Sequence, residues 1–236
     1  MARLPRLALV GEPHLVWLRG MTHRAIVTDD GDRRQLLAAL HEASMQHGLS
    51  LHGYALKDDH VRLLASPTHA RSLALTMQDF GRRYVAGFNR RHGQRGTLWD
   101  GRYRSCVVQP GAWALSALIL VEAEPGLAQV DPGVGSRHAW SSAAHHRGVV
   151  RDPLVTTLLA YWQLGNTPFD REASYSTKLA EGLLLADRTR LEQGCLKGWP
   201  VGDAGFLDQL AQRVDRPVRR RLRGRPAVSK LLINSA

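Results

Sequence analysis

Two short apolar runs, residues 51–56 and 61–65, are separated only by the polar turn Lys57-Asp58-Asp59, a spacing that calls for an antiparallel hairpin. A helical pattern lies on each side of it. Residues 32–47 follow Asp30-Gly31 and carry Leu36, Leu37, Leu40 and Ala43 at the spacing of one helix face, and a second long helix is expected over 70–91. Strands expected over 14–18, closed by Gly20, and over 97–108, after the Gly93 to Gly96 turn, complete the order βαββαβ. This is the split βαβ arrangement of the α+β class: an antiparallel sheet with its helices packed on one face. A third helix is expected over 112–124, stopped by Pro125-Gly126.

Beyond a glycine-containing stretch at 131–135 the composition turns helical, with pieces expected near 153–162, 171–191 and 204–214. The 236 residues suit one main domain with an appendage. The chain therefore divides into a sheet domain (1–130), a helical extension (131–212) and a basic tail (213–236). The tail is expected to be mobile, because residues 213–230 hold eight basic side chains and one acid with little apolar periodicity. Without a run of 18 apolar residues or a signal-peptide core, the expectation is a cytoplasmic, nucleoid-associated protein with no membrane partner. Cys106 and Cys195 lack metal-type spacing and read as ordinary buried thiols.

Lys and Arg number 32 against 21 Asp and Glu, a formal charge of +11 that favours a polyanionic partner. Most of the cations are arginines, whose planar donor fork matches phosphate oxygens and base edges. They concentrate in residues 81–104, where Arg82, Arg83, Arg90, Arg91, Arg95, Arg102 and Arg104 are interleaved with Tyr84, Phe88, Trp99 and Tyr103, and Asp100 is the only acid. Guanidinium groups beside aromatic rings suit unpaired nucleic acid. Contacts to DNA are expected from Arg82, Arg83, Arg90, Arg91, Arg102 and Arg104, with Phe88 and Trp99 partly structural.

The same block, reading Phe88-Asn89-Arg90-Arg91-His92-Gly93 and then Gly96-Thr97-Leu98-Trp99-Asp100-Gly101-Arg102-Tyr103-Arg104-Ser105, resembles the REP-associated tyrosine transposases of the single-tyrosine insertion-sequence superfamily. The resemblance begins at Gly11-Glu12-Pro13-His14 with Arg19-Gly20 and runs through Leu51-His52-Gly53-Tyr54 and His60. It continues past the sheet in Trp140-Ser141-Ser142, Gly165-Asn166-Thr167-Pro168-Phe169 and Gly198-Trp199-Pro200. It implies a ferredoxin-like sheet that binds folded-back single-stranded DNA. In active members a His-hydrophobic-His triplet holds Mg²⁺ or Mn²⁺, and a tyrosine on the following helix attacks the phosphate.

That triplet falls here on His60-Val61-Arg62. His60 keeps a ring nitrogen, whereas Arg62 is a permanent cation with no lone pair to offer a metal. The tyrosine position, counted back from Pro125, falls on Leu120, which cannot act as a nucleophile. Catalytic and metal sites are therefore expected to be degenerate at His60, Arg62 and Leu120, with no cofactor. Arg62 would present charge to a phosphate instead. Tyr103, between Arg102 and Arg104, is the nearest substitute nucleophile, with packing the readier explanation of it. In the tail, Arg223-Gly224-Arg225-Pro226 resembles an AT-hook, which implies that Arg223 and Arg225 enter the minor groove of A·T-rich duplex. The expected function is recognition of hairpin or single-stranded DNA without cleavage. The alternatives are an active single-strand transposase and an RNA-binding module.

Overall fold

The described residues contain four strands: β1 (His14–Arg19), β2 (Leu49–Leu56), β3 (His60–Pro67) and β4 (Arg104–Val107). The computed structural model describes residues 5–22, 24–123 and 140–219. The strands form one sheet in the order β2-β3-β1-β4, every pair antiparallel. Helices α1 (Asp30–His47) and α2 (Ser72–Arg91) complete the expected βαββαβ order, giving the α+β, ferredoxin-like fold. The β2–β3 turn is fixed by the Lys57 N–H bonding the His60 carbonyl at 2.9 Å. Gly20 and Ile26 N–H groups donate to Asp59 and Asp58 carbonyls at 2.7 Å each. Gly20 has to be small there, because a Cβ would stand 2.5 Å from the Ile26 Cγ2.

The expectation of helices on one face is corrected by the second face. β3 is buried at all eight positions, the mark of a strand covered on both sides. On one side Val16, Leu18, Val61 and Leu63 pack with α1 and α2; on the other, Leu15, Leu64, Ala55 and Cys106 need a cover of their own. Helix α3 (Ala112–Glu122), buried at every position from Ala117 to Glu122, supplies it. Gly53 lets α3 approach, since a Cβ there would lie 2.4 Å from Leu118 Cδ1. The fourth strand is also shorter than the expected 97–108, because the chain before Arg104 follows a loop and touches the sheet only by a Gly20–Trp99 bridge.

The extension builds α4 (Ala143–His146), α5 (Leu159–Trp162), α6 (Pro168–Glu181), α7 (Leu185–Lys197) and α8 (Ala204–Arg213). Only α5 is helical within the expected 153–162 piece. The single helix expected over 171–191 is two, because Gly182 at φ 70° ends α6 and Leu184 is extended before α7 starts. Thr167 caps α6 reciprocally with Asp170, and Pro168 occupies its first position. The break lets α7 turn back onto β4 and β1, so Leu191 and Cys195 join the same core as Leu15 and Cys106.

Polar groups join the extension to the sheet domain as firmly. Ser141 bridges to Ala55, the Trp140 carbonyl accepts from Leu56 N–H at 2.8 Å, and the Ser142 hydroxyl accepts from Tyr54 N–H at 2.8 Å. Together they cover the otherwise open edge of β2. Glu122, fully buried at the end of α3, accepts from His146 Nδ1 at 2.8 Å, from Tyr175 at 2.6 Å and from the Ser142 hydroxyl. Residues 213–219, the start of the expected tail, lie against the body. Val218 packs with Leu7, Val107 and Leu210, Arg213 pairs with Glu12 at 3.0 Å, and Arg216 sits over Trp199. The AT-hook-like Arg223 and Arg225 lie outside the described residues, as does Pro125.

Candidate functional site

His60 and Arg62 are two residues apart on β3, so both point to the face covered by α3 and α7. The register sets Trp17 opposite Arg62 and Arg19 opposite His60. The Arg62 guanidinium lies 4.5 Å from the centre of the Trp17 ring and 3.6 Å from Glu192 Oε1 on α7, and its side chain is 7 % exposed. Leu120, the position matched to the attacking tyrosine by counting, lines the same small void as Arg62, Trp17, Glu192 and Cys195. That void measures about 10 Å³, room for no more than one water. The structure thus brings Arg62 and Leu120 together. It turns Arg62, expected at a phosphate, toward an internal carboxylate.

Whether these side chains fit a divalent ion follows from their donors. His60 Nδ1 is 2.7 Å from Asp59 Oδ1, and its ring packs edge-on to Trp17 at 5.6 Å. The second position belongs to a guanidinium, which repels a cation and lends it no electron pair. Among the described residues no three His, Cys, Asp or Glu side chains cluster as a metal would require. The residues present do not fit Mg²⁺ or Mn²⁺.

The expected DNA-contacting arginines fall into two groups. Arg83 is held by Asp79 at 2.8 Å and by Glu42 at 2.9 Å, joining α2 to α1. Arg91 is bound to Asp29, the N-cap of α1, at 2.7 Å and to the buried Asp32, which also takes His92 at 2.9 Å. The guanidinium of Arg91 holds the Asp29 carboxyl far below the usual carboxylate range. Arg82, Arg90, Arg102 and Arg104 are exposed and form no salt bridge with another described residue. Phe88 and Trp99 are core residues: Trp99 packs on Phe80 and Tyr84 with ring centres 6.0 Å away in both cases.

Tyr103 lies with the α1 and α2 core, on the sheet face opposite His60. Burial raises its pKa above the ordinary phenol value, outweighing Arg6 and Arg102, which act to lower it. Arg6 stacks 4.0 Å from the ring centre and donates to the Tyr103 carbonyl at 3.0 Å. Neither burial nor position favours this phenol as a nucleophile directed at β3.

A cavity of about 740 Å³ that sequence reasoning did not locate opens between α2 and the loop before β4. Ala74, Met77, Gly81 and Val85 supply one helical face of it; Trp99 and Tyr103 form the facing wall, and Arg6, Arg82 and Arg102 line it too. The available signal was the row of small residues, Ala74, Gly81 and Ala86, on a helix whose other face is large and apolar.

Residues 11–114 match the family model described as IS200-like transposase. Among solved structures, the chain is similar to a REP-associated tyrosine transposase bound to a REP hairpin: 11 % identity, covering 68 % of this chain and 93 % of that one, with a TM-score of 0.48. It is also similar to a candidate transposase from Deinococcus radiodurans R1, at 24 % identity over 46 % of this chain and 87 % of that one, with a TM-score of 0.34. No curated protein matches the chain. No helix among the described residues is long and apolar enough to cross a membrane.

Proposed function

We propose that this chain, whose residues 11–114 match the family model described as IS200-like transposase, binds hairpin or single-stranded DNA and does not cut it. The observation that carries the reading is the position of Arg62. A cation buried between Trp17 and Glu192, with Leu120 beside it, occupies the point where relatives would need a metal ligand and a tyrosine. Chemistry through a phosphotyrosine needs both groups at once.

Binding rests on different residues. The exposed Arg82 and Arg90 on α2, Arg102 on the loop before β4 and Arg104 at the start of β4 offer phosphate contacts that do not depend on the catalytic position. Arg83 and Arg91 support them indirectly by fixing α2 against α1. Arg223 and Arg225 would add affinity for A·T-rich duplex beyond the hairpin.

Incubating the full chain with a hairpin single strand and Mn²⁺ tests both halves. A salt-sensitive complex with no denaturation-resistant protein–DNA adduct is expected. An adduct would overturn the claim that cleavage is lost, and preference for an RNA hairpin in direct competition would overturn the choice of DNA.

A further inference from the structure

The chain has two cysteines, Cys106 and Cys195, far apart in sequence, and the fold brings both into one core. Cys106 lies on β4 directly across the ladder from Leu15 of β1. The Cys195 thiol, on α7, donates to the carbonyl of that same Leu15 at 3.5 Å. Gly194 sets how closely the helix approaches. A Cβ there would stand 2.4 Å from Val201 Cγ2 and 3.6 Å from Cys106 Sγ, so α7 lies this near β4 only because residue 194 has no side chain. Each cysteine is 1 % exposed.

The DNA-binding reading uses neither thiol. As a small apolar filler a cysteine does what alanine or valine would do, but two adjoining thiols bring a chemistry that those residues lack, loss of two electrons to form a disulfide. Cys195 also lines the void of about 10 Å³ that it shares with Arg62 and Glu192. A space the size of one water beside a sulfur suits an oxidant scarcely larger than water, hydrogen peroxide, and excludes a bulky disulfide such as oxidised glutathione. The neighbouring Cys195 thiol, together with burial, raises the Cys106 pKa well above the ordinary thiol value. Cys106 therefore keeps its proton and enters the reaction second.

We propose that Cys106 and Cys195 form an intramolecular disulfide with hydrogen peroxide as oxidant, fastening α7 of the extension to β4 of the sheet. The Cys195 sulfur attacks one peroxide oxygen as the O–O bond breaks, becoming a sulfenic acid, and its proton leaves with the other oxygen as water. The Cys106 sulfur then attacks the Cys195 sulfur. The S–S bond forms as the S–O bond breaks, and the departing hydroxide takes the Cys106 proton as a second water. The crosslink closes a loop of about 90 residues, long enough for a large loss of unfolded-state freedom. It also holds in place the helix that supplies Glu192 to Arg62. The inference is independent of the DNA-binding reading.

The test treats the full, reduced chain with hydrogen peroxide, alkylates the remaining thiols in urea and maps the tryptic peptides without reductant. A disulfide joining peptides 105–137 and 191–197 is expected within single molecules, formed faster than with oxidised glutathione at the same concentration. The oxidised chain should unfold about 5–10 °C above the reduced one and return to the lower temperature when reduced again. Cys195→Ala should abolish both the crosslink and the rise. Cys106→Ala should do the same and leave Cys195 to take up oxygen on peptide 191–197, so either variant serves if the other fails to fold. Thiols that remain alkylatable after peroxide, crosslinks found only between molecules, or an oxidised chain that unfolds no higher than the reduced one would each overturn the inference. Equal rates with oxidised glutathione would overturn the assignment of the oxidant.

Discussion

A guanidinium inside a protein must be answered by a carboxylate or a ring, and Arg62 has both, Glu192 at 3.6 Å and Trp17 at 4.5 Å. Removing Glu192 takes that carboxylate away from the guanidinium, while Arg188 loses its own contact with it at 3.2 Å. Glu192→Leu is therefore expected to cost about 1–3 kcal/mol in urea unfolding, whereas Arg62→Leu combined with Glu192→Leu costs less than the two single changes together. Additive losses would mean that the pair contributes no coupling. That Arg62 is a permanent cation with no lone pair for a metal was legible from its residue type. The partner was not, because Glu192 is distant in sequence and belongs to a helix whose return onto the sheet depends on the break at Gly182. Arg83 and Arg91 are comparable: their charge was visible, but the acids on α1 that engage them come close only after folding.

At the scale of elements, α3 combines what the sequence declared with what packing decided. Its span and the absence of a tyrosine were readable. Its depth was not, because only the structure shows that Gly53 admits Leu118 and that Leu120 is 5 % exposed beside a void of about 10 Å³. That depth limits any attempt to place a tyrosine at this position. Leu120→Tyr has to fit a ring and hydroxyl where there is space for one water, so it should lower stability by about 1–3 kcal/mol through overpacking. It should also give no covalent adduct with hairpin DNA and Mn²⁺, because the Arg62 guanidinium beside His60 repels a cation and lends it no electron pair. Thermal unfolding together with a denaturing gel checks both; an adduct in this single variant would show that the sheet face accommodates a metal without a second histidine.

Across the whole molecule the sheet domain and extension share one core, and several histidines inside it are kept neutral. His14 is fully buried, its Nδ1 donating to the Glu12 carbonyl at 2.7 Å while Nε2 accepts from Leu9 N–H at 3.2 Å. A protonated ring would face that N–H with a second one. Burial, the largest cause, pushes its pKa down from 6.5 to about 4, and the pKa of His52 is lowered for the same reason. Between those values the unfolded chain binds a proton that the folded one does not, so stability falls as pH drops from about 6.5 toward 4. The loss from His14 alone is on the order of 3 kcal/mol. The carboxylates held by arginine, Asp29 and Asp79, have lowered pKa values and stay charged across this window, so their pairs persist while the histidines fail. Urea unfolding at pH 7, 6, 5 and 4.5 should show the decline, and His14→Gln should be less stable at pH 7 yet lose less over the same range. A flat profile in the wild-type chain, or an unchanged slope in the variant, would separate acid sensitivity from the burial of His14.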